Sequence, residues 1–266
     1  MTSAYPAIEL KDLSFSYDDT IALSIEHVSI ELGERVFILG KSGSGKTTLS
    51  SIIKGRRTPQ HGTVNILGEG SAWSNRSLQK RIAMVDQEFN LISRMSLIET
   101  VLSGALGRTS SWNTLFGFFP NREWAKAEEI LDEVGLTGLG NRRIDTLSGG
   151  QKQRAAIARA LMQEADVLLA DEPISNLDPE LAEDALDLLV ECVQRRNIAL
   201  LVNLHQPRLA KRFATRVLGL VDGKIQFDGN PDSLSASEEE FIYSNPAEPT
   251  PSTTKGIHGE SATTMA

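Results

Sequence analysis

Cysteine is all but missing from this 266-residue sequence, and the single Cys192 cannot close an internal disulfide. That excludes a disulfide-stapled scaffold and agrees with a reducing compartment. Long apolar runs are missing as well: stretches such as 36–39 and 167–170 fall far short of the roughly 18 uninterrupted residues of a spanning helix. The chain is therefore not expected to cross a membrane unaided. Its first ten residues carry Glu9 and no basic cluster ahead of an apolar stretch, so no secretory signal is read there. A basic excess is absent too, since 27 Lys and Arg face 35 Asp and Glu for a formal charge of −8. This argues against a broad electrostatic footprint for nucleic acid or anionic lipid and leaves room for a small local anion site.

The charge is unevenly spread. Residues 231–266 hold six acids (Asp232, Glu238, Glu239, Glu240, Glu248, Glu260) and one base, Lys255, or −5, so the other 230 residues carry only −3 of the −8. What is present is ordinary globular material, 40% hydrophobic and 23% charged, enough for one full core or two modest ones. Alternating apolar positions at Ile8 and Leu10, then at Val28, Ile30 and Leu32, predict half-buried strands of an antiparallel layer. By contrast, residues 36–39, 167–170 and 198–202 are apolar without alternation. Such runs suit strands covered on both faces, and helical stretches between them imply a parallel α/β sheet.

Residues 88–145 read as mainly helical, with Ala127, Ile130, Leu131 and Val134 on one face and Glu128, Glu129, Asp132 and Glu133 on the other. They are expected to form a helical subdomain inserted in the core. Within it, residues 104–122 mix Gly, Ser, Asn and Pro with Trp112, Phe116, Phe118 and Phe119, either a local hydrophobic cluster or a docking surface. Arg108, Arg122, Arg142 and Arg143 are expected to be solvated or in surface ion pairs worth little, and Cys192 to be a small core residue. After Ser244 the composition turns to Pro, Ser, Thr and Gly, and disorder is expected. The expected divisions are a nucleotide-binding core over 1–87, a helical subdomain over 88–146, the rest of the core over 147–243 and a tail over 244–266.

Three motifs carry chemistry. Gly40, Lys41, Ser42, Gly43, Ser44, Gly45, Lys46 and Thr47 fit the spacing G-x-x-x-x-G-K-[ST], set between a predicted buried strand and a predicted helix. Glycines let the backbone wrap so that successive N–H groups face phosphate oxygens, and the helix N-terminus adds partial positive charge. In such a loop Lys46 reaches the outer phosphates and the Thr47 hydroxyl faces Mg²⁺. Asp171 and Glu172 follow the second buried run at the strand edge where α/β sheets bind ligands. There Asp171 suits the metal and Glu172 suits activation of a water. Ser148, Gly149, Gly150 and Gln151 open a helical run with capping-box spacing, which explains the serine and glutamine and leaves two entropically costly glycines unexplained.

In this order the motifs resemble the ATP-binding subunit of ABC (ATP-binding cassette) transporters over about residues 8–229. The resemblance implies an α/β phosphate-loop cassette with a parallel core sheet, an N-terminal antiparallel β layer and an inserted helical subdomain. It implies an ATPase whose substrate is ATP with Mg²⁺, bound by residues 40–47, Thr48 and, through stacking on adenine, Tyr17. Gln87 matches the glutamine that touches Mg²⁺ and water and links to the helical subdomain, and His205 matches the γ-phosphate sensor. Residues 175–178 resemble the loop crossing the dimer interface, with Asn176 where the family often has alanine.

The family implies a head-to-tail homodimer in which Ser148, Gly149, Gly150 and Gln151 cover ATP held by the other copy. It further implies two membrane permease subunits, a periplasmic or lipid-anchored solute-binding protein, and a peripheral place on the cytoplasmic face of the inner membrane. Residues 101–109, Trp112 and residues 115–119, with 157–174 and 204–206, are similar to phosphonate importer ATP-binding subunits. Another cargo, such as polar amino acids, stays open, and so does a soluble ABC ATPase acting on nucleic acid or ribosomes. A non-catalytic regulator would lack Glu172 or His205.

Overall fold

The computed structural model describes residues 5–18, 20–109, 119–175 and 177–244. The alternating N-terminal segment forms strands β1 (Ile8–Tyr17) and β2 (Thr20–Ile30), which pair antiparallel, and β4 (His61–Ile66) adds to the other side of β1. Leu32 lies just past the end of β2. The unbroken apolar runs become β3 (Arg35–Leu39), β6 (Val167–Asp171) and β7 (Ala199–Leu204). With β5 (Ile82–Val85), β8 (Arg216–Val221) and β9 (Lys224–Gly229) they build a six-stranded sheet in the order β5-β6-β7-β3-β8-β9, parallel except for β9.

Successive residues of β3 serve two different cores, which is why the run needs no polar alternation. Val36 and Ile38 join Leu10, Ile25, Val64 and Leu49 beneath the three-stranded sheet and helix α1 (Lys46–Ile53). Phe37 and Leu39 face the helical side, with Leu102, Ala158 and Leu186. The six-stranded sheet is thus the middle of three layers, and each core buries one face of it. On the helical side lie α3 (Leu97–Ser103), α4 (Asn121–Glu133), α5 (Gly149–Met162) and α6 (Pro179–Arg195). The short α2 (Arg76–Lys80), α7 (Pro207–Phe213) and α8 (Ala236–Tyr243) complete the set.

The 88–145 segment differs from its expected helical reading at its entry. Residues 88–96 are irregular, because Phe89 (φ 56°) and Asn90 (φ 45°) take left-handed conformations that no right-handed helix admits. The helix begins only at Leu97, where Ser96 and Glu99 form a reciprocal capping box. That Ser-x-x-Glu signal was in the sequence and marks the boundary, worth about 1 kcal/mol as a cap. In α4 the apolar face is as expected, with Ala127, Ile130, Leu131 and, just past its end, Val134 buried.

Arg108 corrects the expectation of surface arginines. It pairs through two nitrogens with the carboxylate of Glu123, which is 2% exposed, and adds the Met162 carbonyl at 3.2 Å and Glu164 at 3.0 Å. A bidentate pair on a buried carboxylate is strongly destabilising to break, unlike an exposed one. Arg143, paired with Asp145, and Arg122 stay on the surface as expected. Cys192 is buried, and burial together with the Glu133 carboxylate pushes its thiol up to about 12, so it packs and does not react. Trp112, Phe116, Phe118, Asn176 and residues 245–266 lie outside the described residues; Phe119 packs against the helical-side core.

Candidate functional site

Three neighbouring parallel strands, β6, β7 and β3, end at the same edge of the sheet and deliver the site. From β3 the chain enters the glycine loop. Gly40 must be glycine for room: a Cβ there would fall 2.4 Å from the Leu220 carbonyl oxygen. Gly45 is required twice over, by its φ of 108° at the N-cap of α1 and by the Ala22 carbonyl 2.6 Å from any Cβ. The turn leaves the first amides of α1 uncapped by any side chain, as suits a helix start that faces an anion.

Lys46 is 4% exposed, and its ammonium donates to the carbonyls of Gly40 (2.7 Å) and Lys41 (2.9 Å). Burial pulls its pKa below the usual lysine value, and the nearby Glu172 and Asp171 carboxylates oppose that shift. Next to it the Thr47 hydroxyl donates to Asp171 Oδ1 at 3.3 Å. Asp171 is fixed from β7, where the fully buried Asn203 donates to it at 2.8 Å and to Ser50 of α1 at 3.0 Å. Asn203 thus ties three elements at the site. The sequence carried one signal for it, a lone amide inside the apolar run 199–204.

Glu172 stands on a left-handed backbone (φ 46°), costly for a residue with a Cβ, and its N–H is held by the Asn203 carbonyl at 3.1 Å. That turn aims its carboxylate at His205, the first residue beyond β7, with Oε1 and Nε2 2.5 Å apart. On the other side of the loop a groove of about 300 Å³ runs past Ser42, Gly43, Lys46 and Thr48 to Tyr17, with Glu172 on its wall. Tyr17 is 42% exposed; its hydroxyl is 3.3 Å from that of Thr48, and the Arg57 guanidinium lies 4.7 Å from its ring centre. A bulge at Phe15/Ser16 would leave the Ser16 backbone unpaired, and the Gln60 side chain satisfies both its N–H and its C=O at 2.9 Å. Gln60 and Arg57 were not singled out from sequence.

The structure therefore brings together Tyr17, the loop 40–47, Thr48, Asp171, Glu172 and His205. It does not bring the other expected residues to them. Gln87 is exposed in a turn after β5, and its side chain has no hydrogen-bond partner among the described residues. Ser148 and Gln151 form the expected capping box at the start of α5, exposed and away from the groove. Beside them a Cβ on Gly149 or Gly150 would meet only Leu177 or Leu181, at 3.8 Å, an ordinary contact. None of the described residues requires glycine at either position.

A phosphate loop at the carboxyl edge of a parallel sheet, faced by an Asp-Glu pair from β6 two strands away, defines a phosphate-loop nucleoside triphosphatase. Sequence comparison places it further: residues 23–175 match the ABC transporter family, and the chain belongs to that family, whose cassettes hydrolyse ATP. It is 44% identical over 215 residues to the phosphonates import ATP-binding protein PhnC of Thiobacillus denitrificans, covering 80% of this chain and 83% of that one. The protein of the same name from Bdellovibrio bacteriovorus is 38% identical over 93% of this chain and 97% of its own. Among solved structures, cbiO1 from Clostridium perfringens, part of the ABC transporter complex cbiONQ, superposes with a TM-score of 0.78 at 28% identity, covering 88% and 92% of the two chains. A dimeric ATP-binding cassette in a post-hydrolysis state with ADP and Pi superposes at 0.71, also at 28% identity, over 84% and 98%.

Proposed function

We propose that this chain is the ATP-hydrolysing subunit of an ABC importer for phosphonate or a related phosphorus oxyanion, working as a cassette dimer on two permease subunits at the cytoplasmic face of the membrane. The observation that carries it is the convergence of the phosphate loop, Asp171, Glu172 and His205 at one sheet edge, in a chain 44% identical to a phosphonate import ATP-binding protein. The division into core, inserted helical segment and tail made from sequence is part of this reading.

In it, adenine stacks on the exposed face of Tyr17 and the triphosphate lies along the amides of residues 40–48. Lys46 leaves the Gly40 and Lys41 carbonyls for the outer phosphates. Glu172, held in its left-handed turn, accepts a proton from the attacking water, while His205 orients it and senses the γ-phosphate. Thr47 Oγ1 and Asp171 Oδ1 would hold Mg²⁺: their 3.3 Å separation is near the roughly 2.9 Å between adjacent oxygens of an octahedral magnesium. No group of three or more His, Cys, Asp or Glu among the described residues forms a metal cage, as suits an ion that takes its other oxygens from water and the nucleotide. When bound, it would neutralise charge developing on the phosphates. Gln87 reaches the site in this reading only after its turn moves.

Ser148, Gly149, Gly150 and Gln151 would cover the nucleotide of a second copy, which gives the two unrequired glycines their reason. Between the core and the helical segment, a cleft of about 730 Å³ lined by Lys54, Arg56, Arg76, Lys80, Arg159 and Asp86 lies beside the Gln87 turn; it would seat the permease. No helix among the described residues is long and apolar enough to cross a membrane, so transport requires those partners. The test is growth after deletion of this subunit. Loss of growth on a phosphonate as sole phosphorus source, with growth on phosphate retained and rescue by the wild-type chain but not by Glu172→Gln, is expected; undiminished growth on phosphonate overturns the cargo.

A further inference from the structure

The two ends of helix α1 serve the two ends of the nucleotide groove. Its first turn follows the glycine loop, and the segment after it, residues 54–60, folds back on the end of β1. Tyr17 is the last residue of β1 and is 42% exposed, and it comes just after a register shift between Phe15 and Ser16. Gln60 bridges that irregularity. Its backbone N–H donates to the Ser14 carbonyl at 3.0 Å, and its side chain accepts from the Ser16 N–H and donates to the Ser16 carbonyl, both at 2.9 Å. These three bonds fix the backbone from which Tyr17 projects. From the same segment Arg57 reaches the ring itself. Its Cζ lies 4.7 Å from the Tyr17 ring centre and 5.7 Å from that of Phe15, in the corner between two rings that stand 5.0 Å apart at 84°. Among the described residues no carboxylate pairs with Arg57, and the two rings are its partners.

A half-exposed aromatic side chain that is free to rotate loses that freedom when a base stacks on it, and the loss weakens binding. A ring already held loses less. Tyr17 is held at three places: its hydroxyl lies 3.3 Å from Thr48 Oγ1, Phe15 meets it edge to face, and the Arg57 guanidinium lies against it. The groove is lined by Tyr17 and Thr48 and not by Arg57. The cation therefore sits on the side of the ring turned away from the groove, and the other face is left for a base. We propose that Arg57 is a positioning residue for the base end of the nucleotide: it backs Tyr17, on a strand end latched by Gln60, so that a preset ring face meets adenine in a stack of base, tyrosine and guanidinium. This deepens the functional reading above and rests on its placing of adenine on Tyr17. Helix α1 then sets both ends of the ligand, the phosphates from its first turn and the base from the segment that follows its last.

The experiment titrates two ligands with Mg²⁺ by calorimetry: ATP, and inorganic tripolyphosphate, which keeps the phosphates and lacks the base. The proteins are full-length wild type, Arg57→Met, Tyr17→Ala and the double variant. Arg57→Met keeps an apolar stem and removes the cation. Its ATP affinity should fall by about two- to tenfold while tripolyphosphate binds as it does to wild type, and in steady-state hydrolysis KM should rise with kcat unchanged. Added to Tyr17→Ala, the same change should do nothing further, because its effect runs through the ring. A variant that folds poorly loses both ligands in proportion, so the ratio of the two affinities decides whatever the melting temperature. An unchanged ratio overturns the proposal. So does a ratio moved in favour of ATP, since the guanidinium would then occupy the face that adenine needs. Tyr17→Ala separates the two failures, and its ATP affinity should fall by about tenfold or more. Wild-type ATP affinity there means that the base lies elsewhere, and the reading of Tyr17 falls together with the proposal; a loss in Tyr17→Ala without one in Arg57→Met overturns the proposal alone.

Discussion

The glycine loop 40–47 and the segment 147–151 both end at the N-terminus of a helix, and they are finished to different degrees. Around the first, every special position is dictated from within the chain: Gly40 by Leu220, Gly45 by Ala22 and a left-handed backbone, Asp171 by Asn203. Around the second, the capping box completes the helix start, and among the described residues a Cβ on Gly149 or Gly150 would meet only Leu177 or Leu181 at 3.8 Å, an ordinary contact. One region is a cradle with its own reasons for each residue. The other is a surface whose two glycines meet only ordinary contacts among the described residues, and the proposed function gives them the nucleotide of a second copy to cover.

That contrast breaks or stands on measurable effects. The largest belongs to the cradle: Glu172→Gln should lower kcat by about 10²- to 10³-fold while ATP still binds, since it removes the proton acceptor and keeps the shape. It should also trap an ATP-dependent dimer visible by size-exclusion chromatography, and unchanged turnover would remove Glu172 from its role. Next, Ser148→Arg should leave nucleotide binding to the monomer intact and cut ATP-dependent dimerisation and hydrolysis by about tenfold or more, because a long cation is forced into the face meant for a partner. A mutant that still dimerises with ATP contradicts the cross-subunit account.

The smallest effects sharpen the comparison most, because one substitution is made in both regions. Gly45→Ala strains a positive φ and strikes the Ala22 carbonyl, so thermal melting should show a loss of more than about 1 kcal/mol. Gly149→Ala meets only ordinary contact and should raise monomer stability by about 0.5–1 kcal/mol, the usual gain for alanine over glycine in a helix. Its dimerisation should nonetheless suffer. Two destabilised proteins would mean that the second glycine pair is structural after all.

Much of this architecture was legible because the signals are local. Unbroken apolar runs identified β3, β6 and β7, and eight contiguous residues identified the loop. Tyr17 and His205 could be singled out only through the family resemblance, and the structure has one beside the groove and the other on Glu172. The rest depends on groups far apart in sequence. Asn203 reaches across 32 residues to Asp171, Gln60 across 44 to Ser16, and Arg159 donates to Phe89 and Asn90 about 70 residues away. No spacing rule encodes such pairs, since each is set by which strand neighbours which. Gln87 shows the converse, because a motif match identified the residue and could not say that its side chain points to solvent here.

The Arg108–Glu123 pair has a consequence for how such a machine diversifies. It pins the two ends of a 14-residue stretch together on the buried side, with Met162 and Glu164 of the neighbouring segment as a third anchor. With its ends held in this way, as a chuck holds a bit, the stretch between residues 108 and 123 is expected to accept changes of length and sequence with little effect on the melting temperature of the sheet beneath. A motor shared across many cargoes needs a place where novelty is harmless, and here two side chains provide one.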